Sequence, residues 1–261
     1  MRGQRQAGEG ARRDPHPFLD HPLPIGFAHR GGALEVEENT MAAFAHAVAL
    51  GFSHVETDVQ ATRDGVAVIF HDDTLERMTG EPVRVDALDW NELKRRRTRG
   101  GNAIPRLDEL LAAWPGLFVN LEAKSDAAVA PMTEAIHAAG ALRRVCVGSF
   151  AARRTAEAVR RLGPGLLWSP GQGGVLRLWL RGWGLPLSLP GFGALQVPPS
   201  HHGIPVVTRR FVAAAHAAGV QVHVWTVDDA AEMQRLLALG VDGLMSDRPS
   251  LLREVIAGWR R

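Results

Sequence analysis

Seven ionisable side chains fall at the ends of short β-rich runs and carry the chemistry of this chain. His29 and Arg30 close the run from Ile25, Glu56 and Asp58 lie in HVETDV, His71 follows VAVIF, and Glu122 and Lys124 lie in LFVNLEAK. Adjacent carboxylates repel one another, and a hard divalent cation with oxygen ligands relieves that repulsion, so Glu56, Asp58 and Glu122 are the candidate metal ligands. The competing reading is a salt-bridge network with Arg30 and Lys124. Three carboxylates and one divalent ion leave a single negative charge, which Arg30 and Lys124 convert to a single positive one. Such a site suits a phosphodiester monoanion. His29 and His71 then supply an acid and a base near neutral pH, one activating a nucleophile and the other protonating the departing alkoxide. The chemistry that follows is metal-assisted phosphodiester cleavage.

These residues need a frame that brings strand ends together. From Pro24 onward β-rich runs alternate with Ala/Leu-rich helical runs: IGFAH, HVETDV, LFVNLEAK, RVCVGSF, LLWSP, ALQVP, VQVHVWTV and DGLMS are eight strand-like segments. Eight βα repeats in about 240 residues predict a single α/β (β/α)₈ barrel, with the site at the C-terminal ends of its strands. The seventh strand delivers Trp225 to the same rim, as a wall of the substrate pocket. VAVIF breaks the alternation, because it follows HVETDV after a turn ending in Asp64 and Gly65. It is expected to return antiparallel, as a hairpin extension of the second strand. A two-residue Asp64-Gly65 loop places His71 across from Asp58. Residues 72–106 lack long periodicity and are expected to form an insertion over the barrel mouth. Residues 1–20 read as a flexible arm, with the barrel domain over 21–261.

Composition narrows the function. The 261 residues carry 30 basic and 28 acidic side chains, so a nucleic-acid partner is not expected, and the basic run from Lys94 to Arg99 reads as a solvated face. One cysteine excludes an intrachain disulfide, and no export signal or membrane span is evident. A cytoplasmic location follows, with or without peripheral membrane contact. Lys124 is one of two lysines, and tyrosine is absent.

His-Arg-Gly at 29–31, Glu-Asn-Thr at 38–40, Glu-x-Asp at 56–58, Thr-x-Asp-Gly at 62–65, His-Asp at 71–72, Leu-Glu-Ala-Lys at 121–124, Val-Trp-Thr-Val at 224–227 and Gly-Val-Asp-Gly at 240–243 together resemble the glycerophosphodiester phosphodiesterase family. The resemblance runs from Phe27 to Pro249 in the family's order. It implies a phospholipase C-like barrel that hydrolyses a glycerophosphodiester to glycerol 3-phosphate and an alcohol. It further implies one Mg²⁺ or Ca²⁺ on Glu56, Asp58 and Glu122, acid/base work by His29 and His71, and phosphate contacts from Arg30 and Lys124. Two positions depart from the pattern: Glu37 stands where proline is usual, and Asp228 where asparagine is usual. Glu37 reads as an exposed loop residue or as a charge that tunes head-group preference. Glu38 is expected to orient Arg30, and Asn39 or Thr40 to cap the first helix.

Two other readings compete. A lysophospholipase D would use the same chemistry on a substrate that keeps one acyl chain, and a non-catalytic barrel would bind phosphodiesters or a membrane surface. The acid/base pair argues against the latter. Residues 175–195 bear on the former: only Arg177 and Arg181, four apart and so on one helix face, interrupt an apolar stretch. It reads either as a barrel-wall helix packed on the strands or as a segment whose Leu176, Trp179 and Trp183 meet a lipid surface or an acyl chain.

Overall fold

A computed structural model describes residues 16–189 and 191–259. The eight expected strands are present as β1 (Ile25–His29), β2 (His54–Ala61), β4 (Phe118–Ala123), β5 (Val145–Gly148), β6 (Leu167–Trp168), β7 (Ala194–Val197), β10 (Gln221–Val224) and β11 (Gly243–Ser246). They run parallel in the order β6-β5-β4-β2-β1-β11-β10-β7. The seam between β6 and β7 has no strand pairing among the described residues, and the Gln196 N–H instead donates to the Ser169 hydroxyl at 3.1 Å. The result is a nearly closed α/β barrel, as the alternation predicted.

Helices α1 (Met41–Ala49), α4 (Leu107–Ala113), α5 (Asp126–Ala138), α6 (Ala152–Leu162), α7 (Gln172–Arg181), α8 (Arg209–His216), α9 (Ala230–Ala238) and α10 (Pro249–Gly258) surround the strands. Strand alternation divides the apolar side chains. Val55, Val59, Val119, Leu121 and Val147 face this helical layer, whereas Ile25, Phe27, Cys146 and Met245 fill the barrel interior. A small hairpin, β8 (Ser200–His201) and β9 (Ile204–Pro205), follows β7.

The interior is aromatic at its N-terminal end. Phe18 is fully buried and meets the His54 ring edge-on at 4.9 Å, while His54 stacks on Phe118 at 4.8 Å. Phe18 belongs to a short 3₁₀ turn, Pro17–Leu19. The flexible arm expected over residues 1–20 therefore does not extend that far. Residues 1–15 lie outside the described residues, but 16–20 lead into a plug whose aromatic burial stabilises by about 1.5–3 kcal/mol.

The hairpin corrects a register. β3 (Ala67–Ile69) pairs antiparallel with β2, but the partners are Val59 with Ile69 and Ala61 with Ala67, so His71 does not sit across from Asp58. The loop holds three residues, Arg63, Asp64 and Gly65. Gly65 takes a left-handed φ of 78°, and the Thr62 N–H closes onto the Val66 carbonyl. The extra residue shifts every pair by one. His71 lies beyond the strand, on a bend that carries it back over the mouth.

The insertion has its own small core of Phe70, Leu75, Val85, Leu88, Leu93 and Ile104, and its helices α2 (Glu76–Thr79) and α3 (Trp90–Leu93) are one turn each. Glu37 anchors it. Its carboxylate accepts from the Thr98 hydroxyl, from the Gly100 N–H at 2.9 Å and from Asn102 Nδ2 at 2.6 Å, which holds it below the usual carboxylate range although burial opposes this. Glu37 is thus a staple between two loops, and neither of the two roles expected for it describes this arrangement.

Glu37→Ala leaves three donors without their acceptor, two of them on largely buried residues. The insertion should loosen at a cost of about 1–3 kcal/mol. The check is tryptic cleavage within Lys94–Arg99, which should be faster in the variant; an unchanged cleavage rate would show that the staple carries little of the loop's order.

Two interior histidines contribute to the response to acid. Burial pushes His54 and His223 down to about 3, so the folded barrel holds both neutral. The unfolded chain takes up these protons near pH 6.5 and the folded chain does not. Their contribution is therefore complete above about pH 6.5 and is lost at about 1.4 kcal/mol per pH unit for each histidine as pH falls toward 3. Urea midpoints between pH 7 and 4 should fall less steeply for His223→Asn than for the parent, by the slope of one proton. Equal slopes would mean that His223 is charged in the fold.

Candidate active site

Strand register assembles the acidic centre. His29 on β1 pairs with Glu56 on β2, and Asp58 on β2 pairs with Glu122 on β4, so three adjacent strands place four inward side chains side by side. One oxygen from each of Glu56, Asp58 and Glu122 lies within 4.8 Å of the others. Glu56 and Asp58 are buried, and the Glu122 side chain is one-fifth exposed.

The backbone after β1 turns sharply. Arg30 has φ 53°, and a Cβ on Gly31 would come within 2.6 Å of the Ala43 Cβ, so glycine is required there. This turn aims the Arg30 N–H at Glu56 Oε2, 3.2 Å away, and carries the guanidinium to Asp58, with Nε 3.1 Å from Oδ2. Arg30 Nη1 also donates to Glu38 Oε1 at 3.1 Å, which is the orienting contact expected of Glu38. Thr40, not Asn39, caps α1 by accepting from the Ala43 N–H. Asn39 instead is a site residue that the sequence reading missed. At φ 56° it donates from Nδ2 to Asp58 Oδ2 at 2.9 Å and accepts the Thr57 hydroxyl at 2.8 Å.

Each histidine has a carboxylate on Nδ1: Asp247 Oδ1 lies 2.6 Å from His29, and Asp72 Oδ1 lies 2.6 Å from His71. This pairing assigns the Nδ1 proton and leaves Nε2 for the site. His29 Nε2 is 3.5 Å from Glu56 Oε2. Asp247 is far from His29 in sequence, and no local pattern marks it. It is held in turn by Asp228, whose Oδ1 accepts from the Ser246 hydroxyl at 2.9 Å and the Asp247 N–H at 2.8 Å. Lys124 Nζ lies 3.5 Å from Asp58 Oδ1 and 3.4 Å from Glu122 Oε2.

The electrostatics are unequal across the triad. Burial, with Asp58 and Glu122 nearby, raises Glu56 to about 8 against the opposing pull of His29 and Arg30. Asp58 moves down: burial would raise it, but Arg30, Lys124, His71 and Asn39 outweigh that. Burial raises Glu122 as well, and Lys124 opposes it. For His29 burial favours the neutral form, but Glu56 and Asp247 prevail and raise it to about 9. A carboxylate as reluctant to ionise as Glu56, beside two others, is what a site short of positive charge produces. An all-oxygen donor set of this kind fits a hard divalent cation.

Trp225 follows β10 at the mouth, and Phe150 follows β5. Their rings meet edge-on at 5.5 Å, with Phe150 56% exposed. The rim thus joins an acidic floor, flanked by Arg30 and Lys124, to an aromatic wall. The floor rests on a polar layer in which Gln196 Nε2 donates to Asn120 Oδ1 at 2.7 Å.

Comparison with known proteins agrees with this arrangement. The glycerophosphoryl diester phosphodiesterase family matches residues 29–164 and 190–251. A Mycobacterium tuberculosis protein named probable glycerophosphodiester phosphodiesterase 2 is 41% identical over 248 residues, covering 92% of this chain and 93% of its own length. Human lysophospholipase D GDPD1 is 38% identical over 110 residues, 37% of this chain and 35% of its own. Among solved structures, an Oleispira antarctica phosphodiesterase in complex with the product sn-glycerol-3-phosphate superposes with a TM-score of 0.75 at 25% identity, covering 90% of this chain and 98% of that one. With its motifs on one rim of a nearly closed barrel and most of its length matched, the chain belongs to the glycerophosphoryl diester phosphodiesterase family of hydrolases.

Proposed function

We propose that this enzyme hydrolyses glycerophosphodiesters to glycerol 3-phosphate and an alcohol, with one divalent ion, Mg²⁺ or Ca²⁺, on Glu56, Asp58 and Glu122. The observation that carries this reading is the acidic triad, two of its members buried, flanked by two carboxylate-paired histidines. When bound, the ion would supply positive charge to a phosphoryl oxygen and to the group that attacks phosphorus. Arg30 and Lys124 contact the phosphate, and they stand ready beside Asp58. One histidine accepts through Nε2 the proton of the water that attacks phosphorus, and the other donates a proton to the alkoxide oxygen released as the P–O bond to the alcohol breaks. Asp247 and Asp72 stabilise the imidazolium form of each. Trp225 and Phe150 line the pocket beside the leaving alcohol. A place in glycerophospholipid breakdown within the cytoplasm belongs to the same reading, and the lone Cys146, buried in the barrel, accords with a reducing compartment.

Product analysis with glycerophosphocholine should show glycerol 3-phosphate, abolished by chelation and restored by Mg²⁺ or Ca²⁺. His29→Ala and His71→Ala should each slow turnover by about 10²- to 10⁴-fold with folding intact. Full activity in a chelator, or in Glu56→Gln, would remove the metal from the reading.

A lysophospholipase D activity at a membrane surface is the second reading, and one set of contacts favours it. The helix expected over much of 175–195 ends at Arg181, and only Leu178 of α7 is fully buried. Leu176, Trp183 and Leu185 are exposed, Trp183 by 60%. The end of α7 sits against the first turn of α8, where the Arg210 guanidinium lies 4.6 Å over the Trp183 ring. Tryptophan beside arginine on an open apolar surface suits a lipid interface. No described helix is long and apolar enough to cross a membrane. Trp179→Ser with Trp183→Ser should weaken liposome flotation and slow turnover of lysophosphatidylcholine more than that of glycerophosphocholine. Equal effects on both substrates, with no liposome binding by the parent, would leave these rings a packing role.

A further inference from the structure

The insertion contributes one side chain that touches both halves of the site's outer support. Arg77, on α2, donates from Nε to Asp72 Oδ2 at 2.6 Å, and from Nη1 and Nη2 to the two oxygens of Glu38 at 3.0 and 2.6 Å. The other oxygen of Asp72 holds His71 Nδ1 at 2.6 Å, and Glu38 Oε1 also accepts from Arg30 Nη1 at 3.1 Å. A continuous chain of alternating charge therefore runs from His71 through Asp72, Arg77 and Glu38 to Arg30, which reaches Asp58. The turn carrying Arg77 is fixed from behind: Arg99 Nε donates to the Arg77 carbonyl at 2.9 Å, and the Arg99 N–H donates to the Met78 carbonyl. The space left between His71, Glu38, Asn39, Met78, Thr98 and Ile104 is about 10 Å³, room for one water at most.

We propose that Arg77 is a positioning residue that sets His71 and Arg30 in register with each other, so that the group moving a proton and the group gripping the phosphate face the same phosphorus. The proposal rests on the roles given above to His71 and Arg30. Half-exposed ion pairs of this kind add little to global stability. What the fork adds is geometry. His71 stands on a bend beyond the end of β3, and Arg30 on a strained turn after β1, so neither is fixed by strand register. A bidentate guanidinium whose third donor fixes a second carboxylate ties the two loops at a set distance and angle. Lysine cannot do this, because its ammonium is a point charge on a flexible stem.

The test is a mutant cycle on the metal-loaded enzyme with glycerophosphocholine, reading kcat and KM separately, with thermal unfolding of each variant alongside. Losing such a supporting contact typically costs about 10- to 100-fold in activity, and Arg77→Met should lower kcat by that amount and raise KM several-fold, while the unfolding midpoint moves little. Asp72→Asn should move mainly kcat, and Glu38→Gln mainly KM. Adding Arg77→Met to the Asp72→Asn, Glu38→Gln pair should cost less than about threefold more, because the contacts are already gone. Arg77→Lys should stay well below the parent, and it carries the same cycle should Arg77→Met fail to fold. Values within twofold of the parent in both Arg77 variants, or a penalty that multiplies in full on the pair, would overturn the proposal. His71→Ala and Arg30→Ala separate the two layers of the argument. If both are strongly impaired while the Arg77 variants are normal, the positioning role alone fails; if either is near normal, the underlying role assignment fails and the proposal with it.

Discussion

Glu56, Asp58 and Glu122 place three acidic groups within 4.8 Å of one another at the mouth of a barrel, two of them buried. Burying even one carboxylate is costly unless it is paired, and like charges at this spacing cannot all ionise unaided. The neighbouring side chains answer that cost unevenly. Asp58 takes Arg30, Lys124 and Asn39 and ionises readily, whereas Glu56 keeps little more than the Arg30 N–H and a longer contact to His29. The imbalance leaves Glu56 and Glu122 as the groups that an added positive charge would stabilise most. The same demand accounts for the cationic partners gathered on this rim; elsewhere some charges pair along one helix, as Glu157 does with Arg160 and Arg161, and others between elements, as Arg63 does with Asp89.

Two kinds of support hold this arrangement, and they differ in rigidity. The acids stand on β2 and β4, whose register and flanking apolar layers fix them to the core. The groups proposed to act on a substrate sit at less constrained places: His29 at the end of a strand, Arg30 on a left-handed turn, His71 on a bend, and Trp225 just past β10. Each of the two histidines borrows order from an aspartate, and the loops borrow it from the insertion through Glu37 and Glu38. A small satellite core of Leu75, Val85, Leu88 and Leu93 gives the insertion enough stiffness to lend. The neighbouring carboxylates divide the work, Glu37 toward the side chains of Thr98 and Asn102 and the Gly100 N–H, and Glu38 toward Arg77.

Much of this was legible in the chain because it is periodic. Strands buried on both faces announce themselves as short apolar runs, and eight of them alternating with helices leave few architectures open. The acids and histidines stood out because charge at the end of a buried strand is expensive and hence functional more often than charge on a helix. What was not legible depended on single residues of loop geometry or on long-range pairing. The hairpin register turned on whether Arg63 belongs to the strand or the loop, and the three-residue turn with left-handed Gly65 decides it. His71 reaches the site all the same, by a bend that no pairing rule foresees. The pattern left the cap of the first helix to Asn39 or Thr40; Thr40 takes it, which frees Asn39 for Asp58. Asp247 meets His29 only through closure of the barrel between β1 and β11. The plug formed by Phe18 was hidden by the polar residues around it.

The division between arginine and lysine at the mouth follows the same physics. Nearly every cation in this chain is arginine, and the guanidinium suits positions where two carboxylates must be bridged at fixed geometry, as Arg30 and Arg77 do at 2.6 to 3.1 Å. Lys124 occupies the one place at the site where such a fork would be a disadvantage. Its ammonium stands at 3.4 to 3.5 Å from Asp58 and Glu122, close enough to temper their repulsion and too far to be locked to either. In the proposed reaction, a point charge on a flexible stem turns toward the phosphate without surrendering a bidentate bond. On that view the rim holds its geometry with arginines and keeps its adjustable charge in a lysine, which gives a physical reason for lysine at this position in a chain that elsewhere uses arginine almost throughout.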